Sequence, residues 1–509
     1  MNGRVGWKRA SRSSNKTITS RLDARYIATA VTPYPHKDGQ GKLGTIVIPV
    51  WVAIVGALLA LWAVLDRLLV PSVRWVIRSR ANKVLDEVSQ RLRLQVRPFQ
   101  QTSRRTLIDR LVFDERVQQA ATAYAQANKM PRDVVHHMVE RYAREIVPAF
   151  NAYFYFRIGA WLSRKVSRLL YRVRIGYSDE AGLAAVPPNA TVVFVMNHRS
   201  NMDYILAAHL AAEQAALSYA VGEWARIWPL QQMIRAMGAY FVRRGSGNEL
   251  YRRVLERYIA MATESGVTQA VYPEGGLTRD GRMREPKFGV LEYMLRGFTL
   301  DGERDLVFVP LGLNYDRVLE DRTQLLASSA SAKKKSALTA AGNTLNFIFT
   351  QLGLALRSKW YRFGYACVNF GTPISTRSYC AERGIDFRKL TKDDRIAEVS
   401  ALGRHLMEHV GRLIPVLPVP LVARVLLAAN DGAALSEMEI KSQVGTQVEQ
   451  LRARGAHVYV PRSDWDYAVG AGLRMLTLRH LVNESAGLYS ANPSETALLM
   501  YYARSIEHL

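Results

Sequence analysis

Cysteine is almost absent: Cys367 and Cys380 are the two thiols in 509 residues. Their number excludes a disulfide framework and any cluster with zinc-ligand spacing, and it makes the cytoplasm the default compartment for the soluble part. Acidic residues are scarce beside basic ones, with 44 Asp plus Glu against 69 Lys plus Arg and a formal net charge of +25. Such an imbalance suggests an anionic partner: nucleic acid, the acidic face of a membrane, or small phosphorylated molecules. No internal repeat is evident. What is present is a chain 49% hydrophobic, long enough for a sizeable core and for two or three structural units.

Residues 1–42 are polar and basic, with nine Lys or Arg against Asp23 and Asp38, and read as a flexible arm. From Leu43 to Leu65 there follow 23 residues without one charge. A bilayer needs about 20 apolar residues, so 43–66 is expected to be a transmembrane helix; a buried hairpin or interfacial helix broken at Pro49 and Gly56 is the alternative. Within twenty residues on either side, Lys plus Arg number 3 before the run and 5 after it, which leans towards a cytoplasmic main body. Residues 67–180 read as a helical, membrane-proximal domain. Its segment Val73–Leu92 is basic and amphipathic, and its Tyr153–Arg168 stretch mixes aromatic and basic residues as interfacial surfaces do.

From Thr191 the pattern changes. Short apolar runs at 192–196, 217–221, 240–242, 270–272 and 306–311 alternate with helical segments, which predicts a mostly parallel, mixed α/β sheet covered by helices over 181–430. Residues 431–509 read as a small helical region. Ligands gather outside the carboxyl ends of such strands. Those ends carry His198, Arg243 with Arg244, Glu274 with Gly275 and Gly276, and Asn314.

The first of these ends, VVFVMNHRSNMDY at Val192–Tyr204, is a buried strand breaking on a histidine, followed by a helix. His198 and Asp203 flank one tight turn. An imidazole held by a carboxylate is what a general base needs, because the carboxylate fixes the tautomer and stabilises the imidazolium. Ser200 reads as an N-cap rather than a nucleophile.

Together with VMNHRSNMDY, the segments GAYFVRR (Gly238–Arg244), YPEGGLTRDGR (Tyr272–Arg282) and VPLGLNYDRV (Val309–Val318) resemble the four ordered motifs of glycerolipid acyltransferases with the HxxxxD motif. HRSNMDY and GAYFVRR most resemble the membrane-bound bacterial glycerol-3-phosphate acyltransferases. VNFGTPI at Val368–Ile374 and LMYYARSIEHL at Leu499–Leu509 extend the similarity to the C-terminus.

The resemblance implies transfer of a long-chain acyl group from acyl-CoA or acyl carrier protein to the sn-1 hydroxyl of glycerol 3-phosphate. The implied catalytic residues are His198 as base and Asp203 as its orienter, with no acyl-enzyme, no metal and no cofactor beyond the thioester. A dianionic acceptor calls for cations, and Arg243, Arg244, Arg279 and Lys287 are the candidates. Glu274, Gly275 and Gly276 would form a turn whose bare backbone lies against the substrate. The fourth motif implies that Pro310 and Asn314 shape the acyl-donor pocket. Each has an ordinary reading beside it: surface charge for Arg243 and Arg244, a plain turn for the Glu-Gly-Gly, core packing for Pro310 and Asn314. Family members commonly carry two arginines in the third motif where this chain has Leu277, Thr278 and Arg279. The missing charge would fall to Arg282, Arg284 or Lys287, or the acceptor would be a lysophospholipid.

An anionic phospholipid membrane is the expected surface and the bacterial inner (cytoplasmic) membrane the expected site, with the catalytic domain on the cytoplasmic side. Nucleic acid is not an expected partner, since nucleic-acid folds give no reason for the four motifs; a non-enzymatic basic membrane protein is the reading from another class. Lys333–Lys335 reads as a mobile loop, and Leu413–Leu427, cut by Pro415, Pro418 and Pro420, is too broken for a second span.

Overall fold

The computed structural model describes residues 97–211, 216–222, 225–226, 228, 230–243, 245–328, 363–429 and 432–509. The basic arm, the expected span at 43–66, the segment 73–92 and Lys333–Lys335 lie outside the described residues. Among those described, no helix is long and apolar enough to cross a membrane.

The chain enters through α1 (Pro98–Gln101), α2 (Arg104–Val112), α3 (Glu115–Ala127) and α4 (Arg132–Ile146), then a π-helical turn at Phe154–Gly159 that continues as α5 (Ala160–Leu170). The sheet follows, with β1 (Arg172–Ser178), α6 (Glu180–Ala185), β2 (Thr191–Met196), α7 (Met202–Ala211), β3 (Ser218–Val221), α8 (Leu230–Ala236), β4 (Tyr240–Phe241), α9 (Glu249–Glu264), β5 (Gln269–Val271), α10 (Gly289–Leu295) and β6 (Leu306–Tyr315). After α11 (Asp321–Ser328) come β7 (Tyr365–Phe370), β8 (Ile374–Ser375), α12 (Thr376–Arg383), the long α13 (Lys392–Leu413) and α14 (Pro418–Ala428).

Strand order is β1-β7-β6-β2-β5-β3-β4, with β8 paired to β6. The run β6-β2-β5-β3-β4 is parallel and so is β1-β7, but β7 and β8 run antiparallel to β6. A mostly parallel mixed sheet is therefore present, as expected. Its central strands are covered on both faces: all ten residues of β6 are buried, and β2 alternates between two cores. Val193 and Val195 pack with α2, α3, α4 and α9, whereas Met196 packs with α7, α14 and the C-terminal helices. That alternation is the two-residue period of a strand covered on each side.

Three details differ from the sequence reading. The region 67–180 is not wholly helical, because β1 leaves it to form the sheet's edge by pairing with β7. Asn314 does not end its strand: β6 runs on to Tyr315, since Leu311–Tyr315 pair with Ala366–Phe370 of β7. Residues 431–509 hold β9 (Leu435–Ser436), α15 (Glu437–Ala453), α16 (Trp465–Leu478), β10 (Val482–Ser485), β11 (Leu488–Ala491) and α17 (Thr496–Ala503), so a small antiparallel sheet joins the helices. The β10–β11 hairpin turns on Ala486 and Gly487, both at positive φ (51° and 77°), as two-residue hairpin loops require.

Candidate active site

The polar turn after β2 is held from all sides. Asn197 clamps β6 with its amide, donating to Leu313 O at 2.9 Å and accepting from Leu313 N at 2.8 Å. Arg199 is buried and donates to Gly281 O at 2.6 Å and Ser505 O at 2.9 Å; burial pushes its pKa down. Ser200 caps α7: its Oγ accepts from Met202 N at 3.1 Å and donates to Glu320 Oε2 at 2.8 Å. Its bonding is that of a cap, not a nucleophile.

Within this frame His198 Nδ1 lies 2.9 Å from Asp203 Oδ2, with both side chains almost wholly buried (2% and 0% exposed). Both oxygens of Asp203 are hydrogen-bonded in the turn. Oδ2 also accepts from Arg199 N at 2.7 Å and Ser200 N at 3.1 Å, and Oδ1 accepts from the Tyr315 hydroxyl at 2.6 Å. A carboxylate fixed in this way sets Nδ1 as the protonated ring nitrogen and leaves Nε2 as the proton acceptor. The Tyr272 ring lies against the imidazole, centroids 4.4 Å apart, and the Tyr204 hydroxyl stands 3.4 Å from Nε2. Apart from the imidazole and carboxylate, these neighbours are aromatic rings, which shelter the pair from water.

Glu274 is buried and acts on the protein. Oε1 accepts from His198 N at 2.9 Å and Oε2 from Arg284 N at 2.9 Å, so one carboxylate ties the catalytic turn to the loop after β5. Burial raises its pKa, opposed by those two bonds. Gly275 takes φ +64°, and a Cβ there would sit 3.4 Å from Lys287 Cδ, so the Lys287 stem lies over the bare glycine. Gly276 is buried beside it. Arg279 and Lys287 are exposed. With Arg284, whose Nη1 donates to Leu277 O at 3.4 Å, they form three cations on one loop with no carboxylate partner among the described residues. Arg282 is taken, bound to Glu507 at 2.7 and 3.0 Å.

Arg243 is not brought into this group as a free cation. Its Nε and Nη2 bind Glu145 of α4 at 2.8 and 2.5 Å, and its guanidinium lies over Tyr142 and Tyr251. Arg226 also binds Glu145. Arg244 lies outside the described residues. The site thus joins His198, Asp203, Glu274, Gly275, Gly276, Arg279 and Lys287, and adds Arg284.

Sequence reasoning did not find Arg199, Tyr315, Glu320 or Ser505 as parts of the site. Their partners are 82 to 306 positions away in the chain. The C-terminal helix is close enough that a Cβ on Gly281, at φ +93°, would fall 1.9 Å from Tyr501 O.

An apolar cavity of about 640 Å³ lies on the Met196 face of the sheet. Phe194, Met196, Leu311 and Val368 form its floor, Leu183 of α6 and Leu210 of α7 its walls. It begins two residues from His198. The volume is within the roughly 300–1,000 Å³ of small-molecule sites.

The family model described as Acyltransferase matches residues 179–314, and that described as Glycerol-3-phosphate acyltransferase C-terminal region matches 349–509. Glycerol-3-phosphate acyltransferase of Pseudomonas entomophila is 27% identical over 417 residues, covering 80% of this chain and 49% of the relative. That of Pseudoalteromonas atlantica is 26% identical over 420 residues, covering 80% and 50%. The chain therefore spans about half the length of the curated relatives it matches. A crystal structure of 1-acyl-sn-glycerophosphate acyltransferase from Thermotoga maritima is 16% identical and covers 50% of this chain and 78% of its own, with a TM-score of 0.29. The two family matches lie on separate stretches of the chain, the first holding the His198–Asp203 turn, and over both the chain is similar to bacterial glycerol-3-phosphate acyltransferases.

Proposed function

We propose that the protein transfers a long-chain acyl group from a thioester, acyl-CoA or acyl carrier protein, to the sn-1 hydroxyl of glycerol 3-phosphate. The observation that carries this reading is the His198–Asp203 pair, fixed at 2.9 Å beside a loop bearing three cations with no carboxylate partner among the described residues. His198 Nε2 takes the proton as the hydroxyl oxygen attacks the thioester carbonyl; the tetrahedral intermediate collapses, the C–S bond breaks, and the leaving thiolate takes that proton from the imidazolium. No acyl-enzyme is needed, because the donor is already activated and the acceptor is held beside the base. Arg279, Arg284 and Lys287 bind the phosphate, the guanidiniums by paired contacts. Arg284, anchored at the Leu277 carbonyl, supplies the charge that Leu277 does not. The apolar cavity takes the acyl chain.

The protein works at an anionic membrane surface, on the cytoplasmic side of the inner membrane. Support comes from the 23-residue uncharged run, the charge of +25, and one face of the π-turn and α5. Ile158 and Trp161 are exposed there (42% and 58%) beside Arg157, Arg164, Lys165 and Arg168, the aromatic and basic mixture of an interfacial helix.

A lysophospholipid acceptor is the second reading, favoured by Leu277. The test offers labelled glycerol 3-phosphate and 1-acylglycerol 3-phosphate together with palmitoyl-CoA. Lysophosphatidate as the product, and its loss in His198→Ala, supports the first reading; phosphatidate alone supports the second; equal turnover by the variant removes His198 from the mechanism.

A further inference from the structure

A second cavity, of about 510 Å³, lies among α3, α9, α10 and the start of α13. It belongs to the sheet face that packs α3, α9 and α13, not the face that carries the apolar cavity. Its lining is unlike the acyl-chain cavity. Ala120 and Ala123 on α3, Ala260 on α9 and Gly297 after α10 leave the space open. Around them stand six arginines: Arg116, Arg253, Arg257, Arg296, Arg388 and Arg395, with Glu256 as the one carboxylate in the lining.

The arginines fall into two groups. Four are held by carboxylates: Arg257 by Asp114 at 2.7 Å and Glu264 at 3.0 Å, Arg253 by Glu256 at 3.2 Å, Arg296 by Glu256 and Glu292, and Arg395 by Glu292 at 3.7 Å. The carboxylates orient these guanidiniums, and Arg395 meets Glu292 through Nε. Arg116 and Arg388, from opposite sides, have no carboxylate partner among the described residues and are exposed. Pre-oriented forks and two cations without a carboxylate partner among the described residues, set around a cavity of ligand size, make a receptor for a multiply charged anion. An acyl chain would find too little apolar wall there.

We propose that this cavity is a binding site for a small molecule bearing two or more adjacent phosphates. Tyr293 offers one ring at the cavity wall. An occupant would tie α3 to the α9–α10 layer, because its phosphates would bridge arginines of both. The proposal does not depend on the acyl-transfer reading.

The test is isothermal titration of the full chain with inorganic tripolyphosphate at roughly physiological salt, where isolated surface charges are screened within about 8 Å. Arg116→Glu with Arg388→Glu, both without an ion pair among the described residues, is expected to weaken binding at least tenfold. Ala123→Phe, which fills the cavity without changing charge, is expected to do the same. Arg279→Ala with Lys287→Ala, at the catalytic loop, should leave this binding in place. No binding by the wild type, unchanged affinity in both cavity variants, or loss confined to the catalytic-loop variant overturns the proposal.

Discussion

Tyr315 donates its hydroxyl to Asp203 Oδ1 at 2.6 Å, from a strand 112 residues further along the chain. The bond takes the carboxylate oxygen that His198 does not use. Burial and the Asp203 charge hold the Tyr315 pKa well above its ordinary value, so the hydroxyl remains a donor across the working range. Tyr315→Phe removes one hydrogen bond to a charged group, about 1.5–3 kcal/mol. The expected result is a fall in kcat of about ten- to a hundredfold with KM nearly unchanged. Steady-state kinetics on the variant check it; an unchanged kcat would separate Tyr315 from the positioning of Asp203.

Glu320 braces the same turn from behind. It accepts from Ser200 Oγ at 2.8 Å and Asn201 N at 3.2 Å. Glu320→Ala leaves both buried donors unpaired, a loss of about 1–3 kcal/mol each, and is expected to lower Tm and activity together. Glu320→Gln keeps an acceptor and a similar shape, so it should recover most of the stability. A thermal melt of the two variants side by side checks the order.

Stability should depend on pH through two buried acids. Burial pushes Asp316 up to about 7 and Glu320 up to about 7, against ordinary values of 3.8 and 4.5. Both folded pKa values are raised, so between these limits the native state binds more protons than the unfolded one. The contribution is therefore most favourable at low pH, declines as pH rises through about 5 to 7, and is level above that. Each group adds a slope of order 1 kcal/mol per pH unit within the window. Denaturant titrations at pH 5, 6, 7 and 8 should show it, and Glu320→Gln should make the slope shallower.

The cations of the loop after β5 should control the acceptor rather than the chemical step. Arg284→Ala and Arg279→Ala are each expected to raise KM for glycerol 3-phosphate by about tenfold or more, the equivalent of a charge-assisted bond, with KM for the acyl donor unchanged. Leu277→Arg should lower the acceptor KM. Initial rates with each substrate varied in turn decide the matter, and an effect on the donor alone would place these cations elsewhere.

Gly281 is a position where no side chain fits. At φ +93°, a Cβ would meet Tyr501 O at 1.9 Å, so Gly281→Ala must displace α17 or the loop that carries Arg279 and Arg284. The expected outcome is a destabilised protein with activity lost out of proportion to unfolding. Circular dichroism and activity across one temperature series distinguish the two losses.

The sequence made the parallel strands legible because each is a short apolar run ending in polar residues. Thr191–Met196 and Gln269–Val271 lie within a residue of the expected runs. The His198–Asp203 pair was legible as well, since one turn of chain holds both. What escaped detection depends on distant pairing. β6 runs past Asn314 because β7 covers it, and nothing local in LGLNY announces that partner. Arg243 looks free at a strand end until α4 places Glu145 against it. Arg199 looks like a surface cation, though it is only 2% exposed, because its acceptors are backbone carbonyls and carry no sequence signature. Asp-Arg-Val-Leu-Glu-Asp at 316–321 was the available signal for the brace: three acids following a buried strand, all of which prove buried.

Arg199 reaches the carbonyl of Ser505, and that bond has a consequence for synthesis in the cell. The base and its orienter leave the ribosome early, whereas the carbonyl that anchors their neighbour emerges about 300 residues later. At about 5–20 residues per second that delay is roughly 15–60 s. During it the nascent chain carries His198 and Asp203 in a turn whose arginine has lost one of its two acceptors. The turn that carries His198 and Asp203 therefore gains its full set of hydrogen bonds only after the segment bearing Ser505 has been made.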